Sequence, residues 1–136
     1  MTKLTGSCLC GSVKYEIEGS PQRFYHCHCQ RCRKLTGTGH ASNLFVETPA
    51  IQWLQGEDLL RTYKVPEAER FHNRFCSNCG SPMPRYIPQR GFAVVPAGSL
   101  DSELDLKPQS RIFVGSAASW SCRDKDLPEF HEYPEV

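Results

Sequence analysis

The sequence predicts a mainly β protein, and three observations support that prediction. The segment "SVKYEIEG" (residues 12–19) alternates apolar Val13, Tyr15 and Ile17 with polar residues, which is the period of two expected of a strand with one buried face. Helical periodicity is weak along the whole chain. Ten prolines and ten glycines interrupt the remaining segments. We therefore expect short antiparallel strands joined by turns, with one or two short helices.

Six further segments have the composition of short strands. They are "ASNLFV", "IQWLQG", "LLRTYKV", "RFHNRFC", "FAVVPAG" and "RIFVG". A short helix is predicted through "CQRCRKLTG", with Gly37 ending it, and a second short helix is allowed near "SAASW". The run "SPMPRYIP" is predicted to be non-helical because of its three prolines.

The chain length and charge limit the possible classes of protein. The 136 residues, of 15.4 kDa, suit a single domain over 1–136. Sixteen Lys and Arg balance fifteen Asp and Glu, so no broad field attracts nucleic acid or an anionic membrane.

Apolar runs such as "FAVV" are far shorter than the roughly 18 to 20 residues that cross a bilayer. The start, "MTKLTGSCLC", has no apolar stretch typical of a secretory signal. We expect a soluble, cytoplasmic protein.

Cysteine spacing is the strongest functional signal in the sequence. Eight cysteines occur, and seven of them are clustered. The clusters are Cys8 with Cys10, then Cys27, Cys29 and Cys32, then Cys76 with Cys79. A disulfide scaffold is one explanation, but a reducing cytoplasm and separations of one or two residues favour metal chelation. Zinc is the preferred ion because thiolate-rich sites suit it, and an iron-sulfur cluster is the alternative.

Two of the clusters have the pattern of zinc knuckles. In "CLCG" and "CSNCG" a glycine, Gly11 or Gly80, directly follows the second cysteine. The tight turn directs backbone N–H groups at the sulfur atoms, and a glycine permits the positive φ that such a turn often requires. Two knuckles together supply four sulfur ligands, which is a closed structural zinc site. We therefore expect these two distant segments to meet around one ion.

The middle cluster, in "YHCHCQRCRK", differs from the knuckles. It has three thiols and no following glycine, so it cannot complete a knuckle pair without leaving one thiol over. We expect it to hold its own ion, either with a fourth ligand from elsewhere or with one position open. Nearby basic residues would offset the negative charge of the thiolates; these are Arg31, Arg33, Lys34 and Arg74. Nucleic-acid binding by "RCRK" is disfavoured because no aromatic stripe or broad basic face accompanies it.

Several motifs together resemble one known family. They are "GSCLCGSVKYEIEG", "CHCQRCRKLTG", "FCSNCGSP", "VVPAGSLD", "RIFVGSAASW" and "DLPEFHEYP". In this order and spacing they resemble the glutathione-dependent formaldehyde-activating enzyme (GFA) family, also called the GFA/centromere-protein-V domain. The resemblance implies a β-tent fold with two zinc ions. It implies that the structural ion is held by Cys8, Cys10, Cys76 and Cys79, and the second ion, with an open position, by Cys27, Cys29 and Cys32.

The same resemblance implies an activity. Family members add the glutathione thiol to formaldehyde, giving S-(hydroxymethyl)glutathione, and are classed as carbon-sulfur lyases for the reverse direction. The expected partners are therefore a small thiol such as glutathione and a small aldehyde. This chain is compact between its motifs compared with the enzyme that names the family. We therefore take the resemblance to imply zinc binding in this chain but not specificity for glutathione. The alternative is a non-catalytic, zinc-stabilised binding module.

The remaining polar and aromatic residues give weaker signals. His28 lies between two thiols and is expected to project away from their ion, behind the ligands or at the surface. His26 is the better candidate for a fourth ligand, although the family position is not reserved for one. Residues expected to have ordinary roles are His40, His72 and His131, with Cys122 as a lone thiol and Trp53 and Trp120 in the core or a pocket wall.

Overall fold

The computed structural model describes residues 1–121 and 126–134. Within that part of the chain it contains nine strands and one α-helix, which confirms the mainly β class. The elements are β1 (Thr2–Ser7), β2 (Lys14–Cys27), α1 (Gln30–Thr36), β3 (Ala41–Glu47), β4 (Gln52–Gln55), β5 (Leu60–Lys64), β6 (His72–Cys76), β7 (Arg85–Ile87), β8 (Phe92–Pro96) and β9 (Ser110–Ile112). No helix among these residues is long and apolar enough to cross a membrane.

Strand β2 organises the larger sheet. Its first half pairs with β1 and β4 and its second half with β3 and β9, and the sheet continues through β8 to β7. The register shifts between Pro21 and Arg23, and such a bulge bends a strand. The sheet is therefore curled, as in the β-tent that the resemblance implies. Strands β5 and β6 form a separate pair, and among the described strands only β9 pairs in parallel, against the all-antiparallel expectation.

The core lies inside the curl of the sheet. The alternation read in "SVKYEIEG" is confirmed, since Val13, Tyr15 and Ile17 are fully buried. They pack with other buried side chains, among them Leu4, Leu44, Val46 and Val95. The Trp53 ring packs against this core, with its centroid 5.9 Å from that of Tyr15. Trp120 is 65% exposed, so its placement in the core is wrong.

Each of the seven segments predicted to be strands contains a strand in the structure, but the sequence analysis did not predict three other parts of the sheets. The missing pieces are β1, the second half of β2, and β7. Strand β7 is a three-residue edge strand with Pro84 and Pro88 on either side, a position where the sheet tolerates prolines. The helix allowed near "SAASW" is wrong, since that region has only a 3₁₀ turn at Val114–Ser116. Cys122 lies outside the described residues.

Helix α1 forms where the sequence predicts it, and its ends explain why. Cys29 is the N-cap, with its Sγ accepting a hydrogen bond from the Cys32 backbone N–H at 3.3 Å. Gly37 adopts a left-handed conformation with φ of 69° and donates its N–H to the Arg33 carbonyl at 2.8 Å. The helix therefore begins on one thiol of the middle cluster and positions a second.

Candidate metal centres and the adjoining cleft

The two knuckles meet as the sequence predicts. The Sγ atoms of Cys8, Cys10, Cys76 and Cys79 all lie within 4.8 Å of one another. The Cys8 and Cys10 sulfurs are 3.6 Å apart, and those of Cys10 and Cys76 are 4.0 Å apart. Sulfurs that surround zinc tetrahedrally at about 2.3 Å are about 3.8 Å from each other, whereas a disulfide is about 2.05 Å long. The spacing therefore fits a four-coordinate ion, and all seven described cysteines are free thiols.

Both knuckle turns have the predicted glycine conformation. Gly11 and Gly80 each have φ of 78°. Each N–H closes its turn, with Gly11 donating to the Cys8 carbonyl at 3.0 Å and Gly80 to the Cys76 carbonyl at 2.7 Å. Each turn is therefore closed by a hydrogen bond to the carbonyl of its first cysteine, and the two glycines share the same φ although they are 69 positions apart in the sequence.

Hydrogen bonds favour the thiolate form of two cysteines in this cluster, whereas burial raises the pKa of Cys76. The Ser12 side chain and the Asn78 amide lower the pKa of Cys10 to about 7, and the Asn78 Nδ2 lies 3.2 Å from the Cys10 Sγ. The Ser81 side chain and backbone lower the pKa of Cys79 to about 5. Because zinc binds thiolates and not thiols, these contacts prepare the site for a metal ion.

A substitution at Gly80 would test how much the positive φ at this position contributes to the choice of glycine and to the stability of the fold. A methyl group at Gly80 would meet no atom within 4 Å, so Gly80→Ala costs only the left-handed conformation, about 1 to 2 kcal/mol. The matched control is Gly98→Ala, which also has free space but no positive φ. We expect thermal unfolding to show the loss for Gly80→Ala and less than about 0.5 kcal/mol for the control. Equal losses would remove the conformational explanation.

The second thiol group sits where β2 passes into α1. The Sγ atoms of Cys27, Cys29 and Cys32 lie within 4.8 Å of one another, and Cys27 and Cys32 are almost fully buried. A hydrogen bond with Cys32 lowers the pKa of Cys27 to about 6. The same pairing, together with burial, raises the pKa of Cys32. Cys27 therefore becomes a thiolate more readily than Cys32, and three sulfur atoms this close suit a metal ion.

Within residues 1–121 and 126–134, no histidine or carboxylate joins this three-thiol group. His26 stacks on His40 instead, with ring centroids 4.0 Å apart, so the fourth-ligand role considered for it is wrong. His28 is fully buried, with its ring 5.3 Å from that of His40, so a surface position is wrong too. Burial lowers the pKa of both His26 and His40, with Arg111 adding to the effect.

A cleft extends from the three-thiol group along one face of the sheet. A cavity of about 400 Å³ opens onto the three thiols and is walled by Phe45, Phe71, Arg85 and Phe113, among others. A second cavity of about 490 Å³ shares those four residues. Its other lining residues are Arg23, Arg70, Ile87, Arg90 and Phe92. The thiols and a set of arginines therefore lie along one continuous cleft.

Strand register explains how the cleft is built. Arg23 pairs with Phe45, Phe45 with Val94, and Val94 with Arg85, so these four residues form one row across β2, β3, β8 and β7. Because side chains alternate along a strand, Cys27 is on the same face as Arg23, four residues further along β2. The sheet thus presents thiol and guanidinium groups side by side.

Closeness in the sequence identified only some of the basic residues that lie near the three-thiol group. Arg31 does line the thiol cavity, with its guanidinium carbon 5.8 Å from the Phe71 ring centroid. Arg33 instead donates to the Ser116 carbonyl at 2.9 Å, and Arg74 lies 5.4 Å from the Trp53 ring centroid. Arg85 was missed, although burial lowers its pKa and the charge of the three cysteines opposes that effect. The one feature of the sequence that could have indicated Arg85 was its place in the alternating triplet "RYI".

The curled sheet with its two thiol groups defines a β-tent protein whose cysteines can hold metal ions. The sequence model described as "Glutathione-dependent formaldehyde-activating enzyme" matches residues 3–116, a span that includes both thiol groups. The chain belongs to this family. A solved structure of a Rhodobacter sphaeroides protein is 22% identical, with a TM-score of 0.58, over 79% of this chain and 98% of that chain. At this identity the likeness shows a shared fold.

Proposed function

We propose that this protein is a zinc-dependent carbon-sulfur lyase that acts on a small thiol-aldehyde adduct, resembling S-(hydroxymethyl)glutathione synthase. Membership of the glutathione-dependent formaldehyde-activating family supports the general activity. The observation that carries the proposal is the second thiol group, which has three thiols, no fourth His, Cys, Asp or Glu in the described part of the chain, and an open cavity above it. A closed structural site has no such vacancy for a substrate.

Two zinc ions per chain belong to this proposal. Cys8, Cys10, Cys76 and Cys79 would hold the structural ion, and Cys27, Cys29 and Cys32 would hold the second. When bound, the second ion would supply a soft Lewis acid that binds an added thiol and lowers its pKa from about 8.5. The free thiols of the described cysteines fit a reducing cytoplasm, in which we place the protein.

The residues around the second thiol group would bind and orient the reactants. The Asn43 Nδ2 lies 3.8 Å from the Cys32 Sγ and donates to it, which holds that sulfur in place. Phe45 and Phe71 wall the cavity and would exclude water from the forming carbon-sulfur bond. In the addition, the thiol sulfur bonds to the aldehyde carbon and the S–H proton ends on the carbonyl oxygen. The reverse reaction breaks the same bond.

Metal content gives the first test of this assignment. Because the seven clustered thiols divide into a set of four and a set of three, purified protein should contain close to two zinc ions per chain. Elemental analysis of protein expressed with zinc and with iron would measure this. One ion per chain, or mostly iron, would contradict the two-zinc assignment.

The activity itself can be tested at equilibrium. The zinc-loaded protein would be titrated with a panel of thiols, with glutathione first, and the exchange of each thiol with formaldehyde followed by exchange NMR spectroscopy. We expect at least one thiol to bind with proton release and its exchange to exceed the uncatalysed rate. If no thiol perturbs the second site and exchange stays at the uncatalysed rate, the lyase proposal fails and the binding module takes its place.

A further inference from the structure

We propose that the aldehyde used at the three-thiol group bears an aliphatic chain, and that this chain binds in a separate apolar cavity beside the thiols. The inference rests on the proposed function for the chemistry. As with formaldehyde, the thiol sulfur bonds to the aldehyde carbon and the S–H proton ends on the carbonyl oxygen, so the chain contributes binding alone. This cavity, called the side cavity here, has a volume of about 400 Å³. Its apolar lining includes Leu35, Ala41, Met83, Val94 and Pro96.

The side cavity adjoins the three-thiol group. Asn43 and Arg85 line both the side cavity and the thiol cavity, and the Asn43 Nδ2 lies 3.8 Å from the Cys32 Sγ. Ala41 pairs with Cys27 across β2 and β3 and packs with Cys27 and Cys32 in a small buried cluster. A chain in the side cavity can therefore start from a carbon atom that is bonded to a thiol held at this group.

Helix α1 connects a thiol to the wall of the side cavity. Leu35 and Thr36 follow Cys32 by three and four positions, which puts these side chains on one face of the helix. The Thr36 Oγ1 donates to the Cys32 carbonyl at 2.8 Å. Both Leu35 and Thr36 line the side cavity. The helix therefore carries a thiol near its start and the wall of the cavity at its end.

The sheet separates the side cavity from the arginine-lined cavity. Ala41, Asn43 and Phe45 alternate along β3 and so lie on one face of the sheet. Ala41 lines the side cavity, Asn43 lines the thiol cavity, and Phe45 lines the arginine-lined cavity. Strand β8 is divided in the same way, with Pro96 at the side cavity and Phe92 at the arginine-lined cavity. Two reactants can therefore approach the thiols from opposite ends of the cleft.

The side cavity is larger and more apolar than formaldehyde requires. Formaldehyde has two heavy atoms and needs little more than the about 30 Å³ of one water molecule, whereas small-molecule pockets occupy about 300 to 1,000 Å³. Among the described residues that line the side cavity, only His40 and Arg85 can carry a charge, and no carboxylate is present. Each methylene group that such a surface removes from water should strengthen binding roughly fourfold.

The two methionines of the chain allow a direct test of occupancy. Met83 lines the side cavity and is 2% exposed, whereas Met1 is 93% exposed. Zinc-loaded protein labelled with ¹³C at the methionine methyl groups would be titrated with hexanamide, whose amide does not add a thiol, and followed by NMR spectroscopy. We expect a saturable shift of the Met83 signal and none of the Met1 signal. Acetamide, which lacks the chain, should need at least about tenfold higher concentrations.

Exchange spectroscopy would test the same cavity in the reaction. Glutathione and 2-mercaptoethanol would each be measured with formaldehyde and with hexanal, and each rate divided by its uncatalysed rate to cancel intrinsic reactivity. At equal low aldehyde concentration the acceleration for hexanal should be at least about tenfold larger. Val94→Phe places a ring in the side cavity and should lower this ratio at least about tenfold. The matched control is Val114→Phe, at a 44% exposed residue that does not line the cavity, which should leave the ratio unchanged.

The outcomes separate the side cavity from the lyase activity. An acceleration for hexanal no larger than that for formaldehyde, or a Met83 signal that hexanamide leaves unchanged, would overturn the inference even if exchange with formaldehyde is catalysed. A saturable Met83 shift without exchange of any aldehyde would support the side cavity as the site of an apolar chain, and the lyase proposal would then fail alone. The NMR test uses the unaltered chain, so it decides the question even if Val94→Phe does not fold.

Discussion

Cys76→Ser should leave the chain largely unfolded at room temperature. Cys76 is fully buried, at the end of β6, and its sulfur belongs to the group that joins the two knuckles. A zinc ion bound by these four thiols would close a loop of more than sixty residues between Cys10 and Cys76, which would restrict the unfolded chain. Structural zinc contributes roughly 10 to 16 kcal/mol of apparent binding free energy to small metal-binding folds. This is comparable with the roughly 5 to 15 kcal/mol by which most folded proteins are stable.

Circular dichroism and zinc analysis of the purified variant would measure this loss. Cys10→Ser should behave in the same way, because it removes another thiol of the same four-cysteine group. Cys29→Ser is the matched control, since it makes the same chemical change at the other thiol group and should lower the melting temperature much less. Equal losses of stability in Cys76→Ser and Cys29→Ser would contradict the division into a structural and an open site.

Features set by a few neighbouring residues could be predicted from the sequence. The positive φ of Gly11 and Gly80 follows from the turn that each knuckle must make, and helix α1 follows from its own caps. The alternation of residues 12–19 identified the core face of β2 because tightly packed neighbours on that face are apolar. Even the meeting of two distant knuckles was predictable, since each supplies half of a four-ligand set.

Features set by strand pairing could not be predicted in this way. In "SPQRFYHC" the alternation is hidden because Arg23 occupies a sheet face that forms a cleft and not a core. Arg23, Arg85 and Arg90 are spread over nearly seventy residues and meet only through the order of β2, β3, β8 and β7. The arginine-lined half of the cleft therefore had no local sequence pattern, whereas the cysteine-lined half had a strong one.

Cys29→Ser should remove the second ion and the exchange activity while preserving the fold. The Cys29 sulfur accepts the Cys32 backbone N–H as the cap of α1, and serine is among the best N-cap residues. The hydroxyl therefore replaces the cap but is a poor, harder ligand for zinc than a thiolate. Because a bound metal ion supplies several kcal/mol in such reactions, the exchange rate of thiol with formaldehyde should fall more than about a hundredfold, to the uncatalysed rate.

The variant would be measured by zinc content, circular dichroism and the same exchange spectroscopy. We expect one zinc ion per chain, a native spectrum and no acceleration of exchange. Cys29→Ala is the companion variant, because it removes both the ligand and the cap; it should match Cys29→Ser in activity and be less stable by about 1 kcal/mol. If Cys29→Ser kept the wild-type exchange rate with one ion bound, the chemistry could not depend on the three-thiol group.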